Sequence, residues 1–574
     1  SRPRETEPDW VKRIDLDGKV TGVYADYHYV GTGDVGGATQ ESTVKLLEAI
    51  VTKSETVLPT PPRFAFAMGE APKAQETGPA VRVGEGPVHV IEAAADQMFN
   101  DLTPAMATRL PSYKGDLELI NHSAGSLTSQ AYHKRWILKN EMLADDAEKS
   151  SVMAEWLGAR PYPIERLNDA WMLELAGHFH DIGAGTATPS AYQYAWNDDI
   201  IAANQFAGVF TSATEAVASG LDTEVKGTPV VVFNPLNIER EDLVEAKVDF
   251  PGGMPKAVRV TGPDGKEVPA QIEDDKVLFL ARAPSVSYVV YSVAPAAKAE
   301  RSSLKVTSSS LENARYRVSL DKNGDVASIF DKSLNKELLA APMRLAISND
   351  VPTVYPAWNM DFDDEQAAPR AYVSGPAKIR IKEDGPARVS IEVTRETEGS
   401  RFVQTVSLAA GDAGNHVEFG DVIDWRTLSA NLKAVFPLTA SNEDATYNWG
   451  VGTIERPTAT ERQFEVASHR WIDLTDKSGA FGATILSDLK NGSDKRTDNT
   501  IRLTLLRSPG MHPSPNGRPS NYSDQSNQDW GHHEIVYGLA GHAGDWRSAQ
   551  TDWQAYRLSD PMAAFASPKP RRSN

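Results

Sequence analysis

"KGTPVVVFNPLN", residues 226–237, is where the chain changes its pattern. Upstream, apolar residues recur at threes, fours and sevens, the period of a helix. Downstream they run in short β-branched blocks or alternate, the period of a strand. The stretch itself is a compact apolar strand, Val230 to Phe233, punctuated by Gly227 on one side and Pro235 on the other. Helices grouped on one side and strands on the other, without βα alternation, predict a multidomain α+β protein.

Working upstream, "AYHKRWILKNEMLADDAEKSSVMAEWLG" (131–158) places Trp136, Leu143, Ala147, Ala154 and Leu157 on one stripe, with Gly158 at the stop position. A second helix opens after "RPYP" and runs through "IERLNDAWMLELAGHFH" (164–180), with Leu167, Trp171 and Leu175 as its stripe. A third, "DIIAANQFAGVFTSATEAVASG", covers 199–220. Together they predict a three-helix bundle domain over 96–213. Before it, residues 1–95 read as an apolar segment, "VTGVYADYHYV", a Gly-rich loop, then a helix, "QESTVKLLEAIVTK", with Thr39 as N-cap and Val44, Leu47, Ile50 and Val51 on one face. That is an α/β pattern too short for a complete domain.

Working downstream, "LVEAKVDF" (243–250) alternates and "TGPDGKEV" (261–268) holds a Pro-Asp-Gly turn between strands. These predict a small β domain over 214–300, closed by the linker-like "APAAKAERSS" (294–303). From there "ARYRVSL", "RVSIEVTRE" and "IRLTLL" recur between turn residues, which predicts a large antiparallel β-sandwich domain over 301–574.

A length of 574 residues exceeds what one core organises, in keeping with this division. The net charge of −19, spread along the chain, disfavours nucleic acid and anionic membrane surfaces as partners. No apolar run approaches the ~20 residues of a membrane span. With no cysteine, any metal must be held by His, Asp or Glu. The N-terminal "SRPRETEPDW" has neither an initiator Met nor an apolar signal core and reads as a cut end. The compartment stays open between periplasm or exterior and cytoplasm.

Three stretches are candidates for chemistry. In "ELAGHFHDIGAGT" (174–186) His178 and His180 stand two residues apart, which on a helix turns them roughly 200° from each other. One of them at most faces a given site, and the alternative is an ordinary helix end where a histidine caps carbonyls. In "YHYVGTGDVGGATQE" (27–41) Asp34 stands in a Gly-rich loop, either as a general acid, base or ligand, or as a turn residue bonding nearby amides. In "ELINHSAGSLTSQAYHKRWILKNE" (118–141) His122, Ser126 and Thr128 are candidates to line a polar pocket, with Lys134 and Arg135 reading equally well as a solvated face.

Taken in order, "GDVGGA", "HSAGSLTSQAYHKR" and "FHDIGAGT" resemble the motifs of glycoside hydrolase family 38, the zinc-dependent retaining α-mannosidases. "VVVFNPLN", "DVASIFDK", "DWRTLSANLKAVFP" and "LTLLRSP" are similar to that family's β domains. The resemblance implies His180 as a zinc ligand, Asp181 as a carboxylate beside the zinc that contacts the sugar, and Asp34 in the loop of the acid/base carboxylate. It implies one zinc ion whose open positions take vicinal mannose hydroxyls, and a carboxylate nucleophile about 5–5.5 Å from the acid/base group. The resemblance implies that residues 1–95 are the C-terminal part of an α/β catalytic domain, yet they show no counterpart to the family's His-x-Asp zinc pair or nucleophile. The resemblance therefore implies the C-terminal portion of a bacterial-type member, inactive alone, with an N-terminal portion supplying the remaining ligands, as a separate chain or otherwise. The expected substrate is a mannose-containing oligosaccharide or small mannoside, in mannose metabolism; homo-oligomerisation stays open. Alternative readings are a mannosylglycerate-type hydrolase and a non-catalytic carbohydrate-binding or scaffolding protein, which the twelve tryptophans would suit.

Overall fold

A computed structural model describes residues 7–30, 39–60, 75–115, 123–298, 302–488, 490–510 and 528–567. The chain divides into two units, Ser1–Asp116 and Leu117–Asn574.

In the first unit, helices α1 (Glu7–Thr21) and α2 (Glu41–Thr52) precede an antiparallel pair, β1 (Glu55–Thr60) and β2 (Gln75–Arg82), with Glu55 opposite Arg82. The apolar segment 20–30, which the α/β pattern would make a strand, instead finishes α1 and continues without regular structure. The N-cap of α2 is Gln40, in extended conformation, and not Thr39. Its buried side is Ser42, Ala49 and Ile50, while Val44 and Val51 are exposed. The apolar face is therefore rotated from the expected one, because a small unit covers only one edge of the stripe.

In the second unit, α3 (Ala131–Trp156), α4 (Ile164–Gly177) and α5 (Pro189–Ser219) pack around Ala144, Ala147, Leu167, Ala170, Ala202, Phe206 and Val209. Small residues on α3 and α5 let two long helices approach closely, and Leu167 and Phe206 fill the gap from α4 and α5. The stop at Gly158 has φ +66, the left-handed conformation expected of a glycine ending a helix. Pro189 starts α5 at a position where its missing N–H costs nothing. The start of α3 is capped from far away: the Ala131 N–H donates to Asp529 Oδ1 at 3.0 Å.

Next comes a small sandwich. A five-stranded sheet of Thr228–Asn234, Ser287–Ala296, Ala257–Thr261, Glu267–Val268 and Ala563–Ala566 faces a three-stranded sheet of Arg240–Ala246, Lys276–Ala283 and Ala270–Glu273. The predicted Pro-Asp-Gly turn is present, with Gly265 at φ +78. Its edge strand is not local: Ala563–Ala566 returns from the far end of the chain to pair with Val230–Phe233. Between the two sandwiches of the unit, the strand Ser287–Ala296 takes the first residues of the segment read as a linker. The large sandwich packs a nine-stranded on a six-stranded antiparallel sheet, with a five-stranded meander over residues 305–337. Its core includes Phe419, Phe436, Tyr537 and the fully buried Trp425, whose Nε1 donates to Ser508 Oγ at 2.7 Å. The long C-terminal strand Gly531–Ala543 is followed by α6 (Thr551–Ser559). No described helix is long and apolar enough to cross a membrane.

Candidate functional site

Helix α4 ends at Gly177, and the reason is tertiary. The buried His133 of α3 donates from Nε2 to the Gly177 carbonyl at 3.1 Å, while its Nδ1 meets Asp199 Oδ2 on α5 at 2.8 Å. His178 becomes the C-cap, Phe179 turns to φ −54 and ψ 139, and one new turn forms over His180–Gly183. His178 and His180 are therefore not on one helix, as their spacing alone suggested; the chain breaks between them. A histidine does cap the helix end, but it is His133.

The break sends the two side chains to different places. His178 Nε2 donates to Glu174 Oε1 at 3.1 Å and lies 3.5 Å from Glu141 Oε1. Its bond to the buried Glu174 holds its pKa above the usual histidine value. Glu174 also accepts from Asn140 Nδ2 at 2.8 Å, so the pair belongs to the polar interior of the bundle. The His180 side chain, in contrast, is 78% exposed, with Asp181 Oδ2 at 3.4 Å from its Nε2.

The turn that presents His180 and Asp181 is held from every side. Thr186 Oγ1 donates to Asp181 Oδ1 at 2.9 Å, and Tyr192 OH donates to the carbonyls of Asp181 and Ile182. Gln528 Nε2 donates to the Gly185 carbonyl at 3.1 Å. Lys134 Nζ donates to the carbonyls of Gly183 (2.8 Å) and Ser129 (2.7 Å). Gly185, at φ +83, lies so close to the preceding loop that a Cβ would fall 2.1 Å from the Ser129 carbonyl oxygen. Both its dihedral and its clearance require glycine. Gly185→Ala is expected to cost about 1–2 kcal/mol or more and to disorder the turn, read as a lowered melting temperature; an unchanged melting temperature would contradict this packing.

Burial pushes the Lys134 ammonium down to about 7, against the pull of Asp529. The neutral amine still has two N–H groups for its two carbonyls. Between about pH 7 and the ordinary lysine value of 10.5 the unfolded chain binds a proton that the folded chain does not. Stability from this group therefore rises with pH across that window. Lys134→Met is expected to flatten that rise in denaturation midpoints measured from pH 7 to 10; an unaltered slope would refute it.

Of the other residues singled out in the sequence, Asp34 and His122 lie outside the described residues. Thr128 is 3% exposed; its Oγ1 faces Gly492 of the large sandwich and has no hydrogen-bond partner among the described residues. Removing an unmatched hydroxyl is favourable, so Thr128→Val is expected to keep or slightly raise the melting temperature, and a marked fall would show that the hydroxyl has a partner.

The loop 123–130 owes its place to residues that sequence reading passed over. Arg507, fully buried, pairs in fork geometry with Asp350 (2.8 and 2.9 Å) and donates to Ser129 Oγ and to the carbonyls of Pro356, Ala357 and Asn359. The N–H groups of Gly125 and Ser126 both donate to the Trp358 carbonyl. A Cβ on Gly125 would lie 2.1 Å from Arg507 Nη1.

As a metal centre, the pair offers one exposed imidazole nitrogen and one half-exposed carboxylate, about half of a tetrahedral shell. Among the described residues, sets of three prospective ligand groups converge at Asp145–Asp146–Asp560 and at Glu365–Glu465–Asp494, and neither includes His180. The second set is already filled by a cation of the chain: Lys433 Nζ lies 2.8, 2.5 and 2.8 Å from its three carboxylates, with Arg502 alongside.

Residues 311–516 match the glycosyl hydrolases family 38 C-terminal domain. The chain is 27% identical over 475 residues to mouse alpha-mannosidase 2C1, covering 80% of this chain and 42% of that protein. It is 24% identical over 475 residues to an alpha-mannosidase of Saccharomyces cerevisiae, covering 78% of this chain and 38% of that protein. The chain thus spans about two-fifths of the length of these relatives. In fold it is similar to the crystal structure of an alpha-mannosidase from Enterococcus faecalis V583, with a TM-score of 0.67 at 18% identity over 83% of this chain and 62% of that one. The resemblance to family 38 read from the motifs holds, as does the multidomain α+β architecture with antiparallel sandwiches.

Proposed function

We propose that this chain, whose residues 311–516 match the family 38 C-terminal domain, is the part of a retaining, zinc-dependent α-mannosidase that supplies one wall of the catalytic site and its supporting β domains. The observation that carries the proposal is the His180–Asp181 turn: an exposed imidazole and carboxylate side by side on a backbone fixed by Lys134, Thr186, Tyr192 and Gln528. Such fixing of a ligand by its surroundings is what a metal site requires. In this reading His180 gives a nitrogen ligand and Asp181 contacts a sugar hydroxyl. Asp34 is the acid/base carboxylate, and His122 contributes to the sugar pocket. Thr128, buried against Gly492, shapes the loop that carries that pocket. Zinc, when bound, supplies open positions for vicinal hydroxyls and so orients the ring. The other ligands and the nucleophile belong to portions of the protein beyond these residues, in keeping with the fraction of the relatives that the chain spans. The substrate is a mannose-containing oligosaccharide or small mannoside.

The incomplete ligand set among the described residues favours a second reading, a non-catalytic mannoside-binding protein. The enzyme containing this chain is expected to hydrolyse an aryl α-mannoside with retention at the anomeric carbon. Retained binding of the mannoside with no turnover in the whole protein would instead establish the second reading.

A further inference from the structure

A second acidic site lies away from that turn and does not depend on it. Asp145 and Asp146 of α3 meet Asp560, just after α6, where the helices abut the small sandwich; one carboxylate oxygen of each lies within 4.8 Å of the others. Asp560 and Asp146 are 3% and 8% exposed, whereas the Asp145 side chain is 45% exposed and opens the cluster to solvent on one side. The groups around it are few. Lys149 reaches Asp145 and donates to the Pro235 carbonyl at 2.9 Å. Arg240 donates to Asn234 Oδ1 and to the Asp560 carbonyl, with Asp242 at 3.7 Å. Asp242 is itself held by both arms of Arg557, and Arg470 is engaged with Ser559.

Among the described residues, Asp146 Oδ1 is buried with no hydrogen-bond partner, as is Nη2 of the neighbouring Arg240. A buried carboxyl oxygen left unmatched is costly, and a native fold resolves it with a ligand, a water or a proton. We propose that Asp145, Asp146 and Asp560 form a binding site for a hard divalent cation of the calcium and magnesium class. All the side-chain donors are oxygens, with no nitrogen or sulfur to favour zinc. Lys149 is about one-third exposed on a flexible stem, so its ammonium can swing into water as the ion enters by the Asp145 side. Three carboxylates facing Arg240 then leave two negative charges for the ion to neutralise. The ion would tie α3 to the small sandwich and to the segment that feeds the returning strand Ala563–Ala566. Burial, with Asp560 beside it, pushes the Asp146 carboxyl up to about 9.

The test uses the whole 574-residue chain, stripped with a chelator and titrated separately with calcium and with magnesium at pH 8, following thermal unfolding and bound ion per chain. The expected result is a melting temperature that climbs several degrees as either ion saturates one site. The shift should vanish in Asp146→Asn and Asp145→Asn and persist in His180→Ala. Asp145→Asn alters a half-exposed side chain and so leaves a folded chain to measure. A wild-type chain indifferent to both ions at millimolar concentration overturns the proposal, as does a shift that survives both asparagine variants. Indifference to ions with an undiminished melting temperature in Asp146→Asn would likewise overturn it, leaving Asp146 as a buried neutral acid.

Discussion

Arg507→Met is expected to destabilise the second unit by about 3–5 kcal/mol, the cost of leaving one member of a buried ion pair behind. The partner left is the buried Asp350, and among the described residues nothing else replaces the guanidinium fork at 2.8 and 2.9 Å. Methionine keeps most of the arginine stem's volume, so the loss reports charge and hydrogen bonding more than a cavity. The loss also spreads. Ser129 Oγ and the carbonyls of Pro356, Ala357 and Asn359 lose a donor together, and these hold loop 123–130 and the 355–359 segment against each other. Arg507→Lys is expected to recover little, because a single ammonium cannot satisfy two carboxylate oxygens and several carbonyls in one plane. Denaturant unfolding of wild type and both variants decides it. A fall of less than about 1 kcal/mol for methionine, typical of an exposed pair, or full recovery with lysine, would show that the fork is not what holds the loop.

Why sequence reading missed Arg507 is instructive. In "LTLLRSP" it looks like the polar end of an apolar strand, and nothing nearby in the chain predicts a partner 157 residues away. The same distance effect explains the other discrepancies. Strands such as Arg388–Thr397 and Thr500–Ser508 were legible because each one's apolar residues reveal a buried face locally. The turn at Gly265 was legible because Pro-Asp-Gly encodes its own dihedrals. The pairing of Ala563–Ala566 with Val230–Phe233 was not, since a four-residue apolar strand has no signal of its partner. The cap on α3 comes from Asp529, 398 residues downstream, so no local cap residue precedes Ala131. The Val44 face of α2 failed for the opposite reason: a clear stripe does not ensure that anything covers it. In the candidate site the motif was legible and its geometry was not. The residues of "HFHD" fixed which side chains stand together, but the break at Phe179 arises from His133, whose ring takes the Gly177 carbonyl.

That break sharpens the contrast between the two histidines of the motif. On the proposed α-mannosidase reading, His180→Ala is expected to lower zinc content and aryl α-mannoside turnover together, and by more than the roughly 10–100-fold that follows loss of a supporting group around a metal. The imidazole is 78% exposed and packs into no core, so its removal disturbs little else. A loss of activity with an unchanged melting temperature is therefore the signature of a ligand. His178→Ala is expected to do the reverse. Its ring donates to Glu174, which is 1% exposed, and faces Glu141, so its removal leaves a buried carboxylate with Asn140 as its remaining hydrogen-bond partner. That costs about 1–3 kcal/mol, while on the same reading zinc binding is expected to persist, because the turn over His180–Gly183 is anchored independently through Lys134, Thr186 and Tyr192. Elemental analysis, turnover and unfolding measured on both variants separate the roles. If His178→Ala loses the metal at an unchanged melting temperature, or His180→Ala unfolds the protein and keeps its zinc, the assignment of the exposed imidazole as the ligand is wrong.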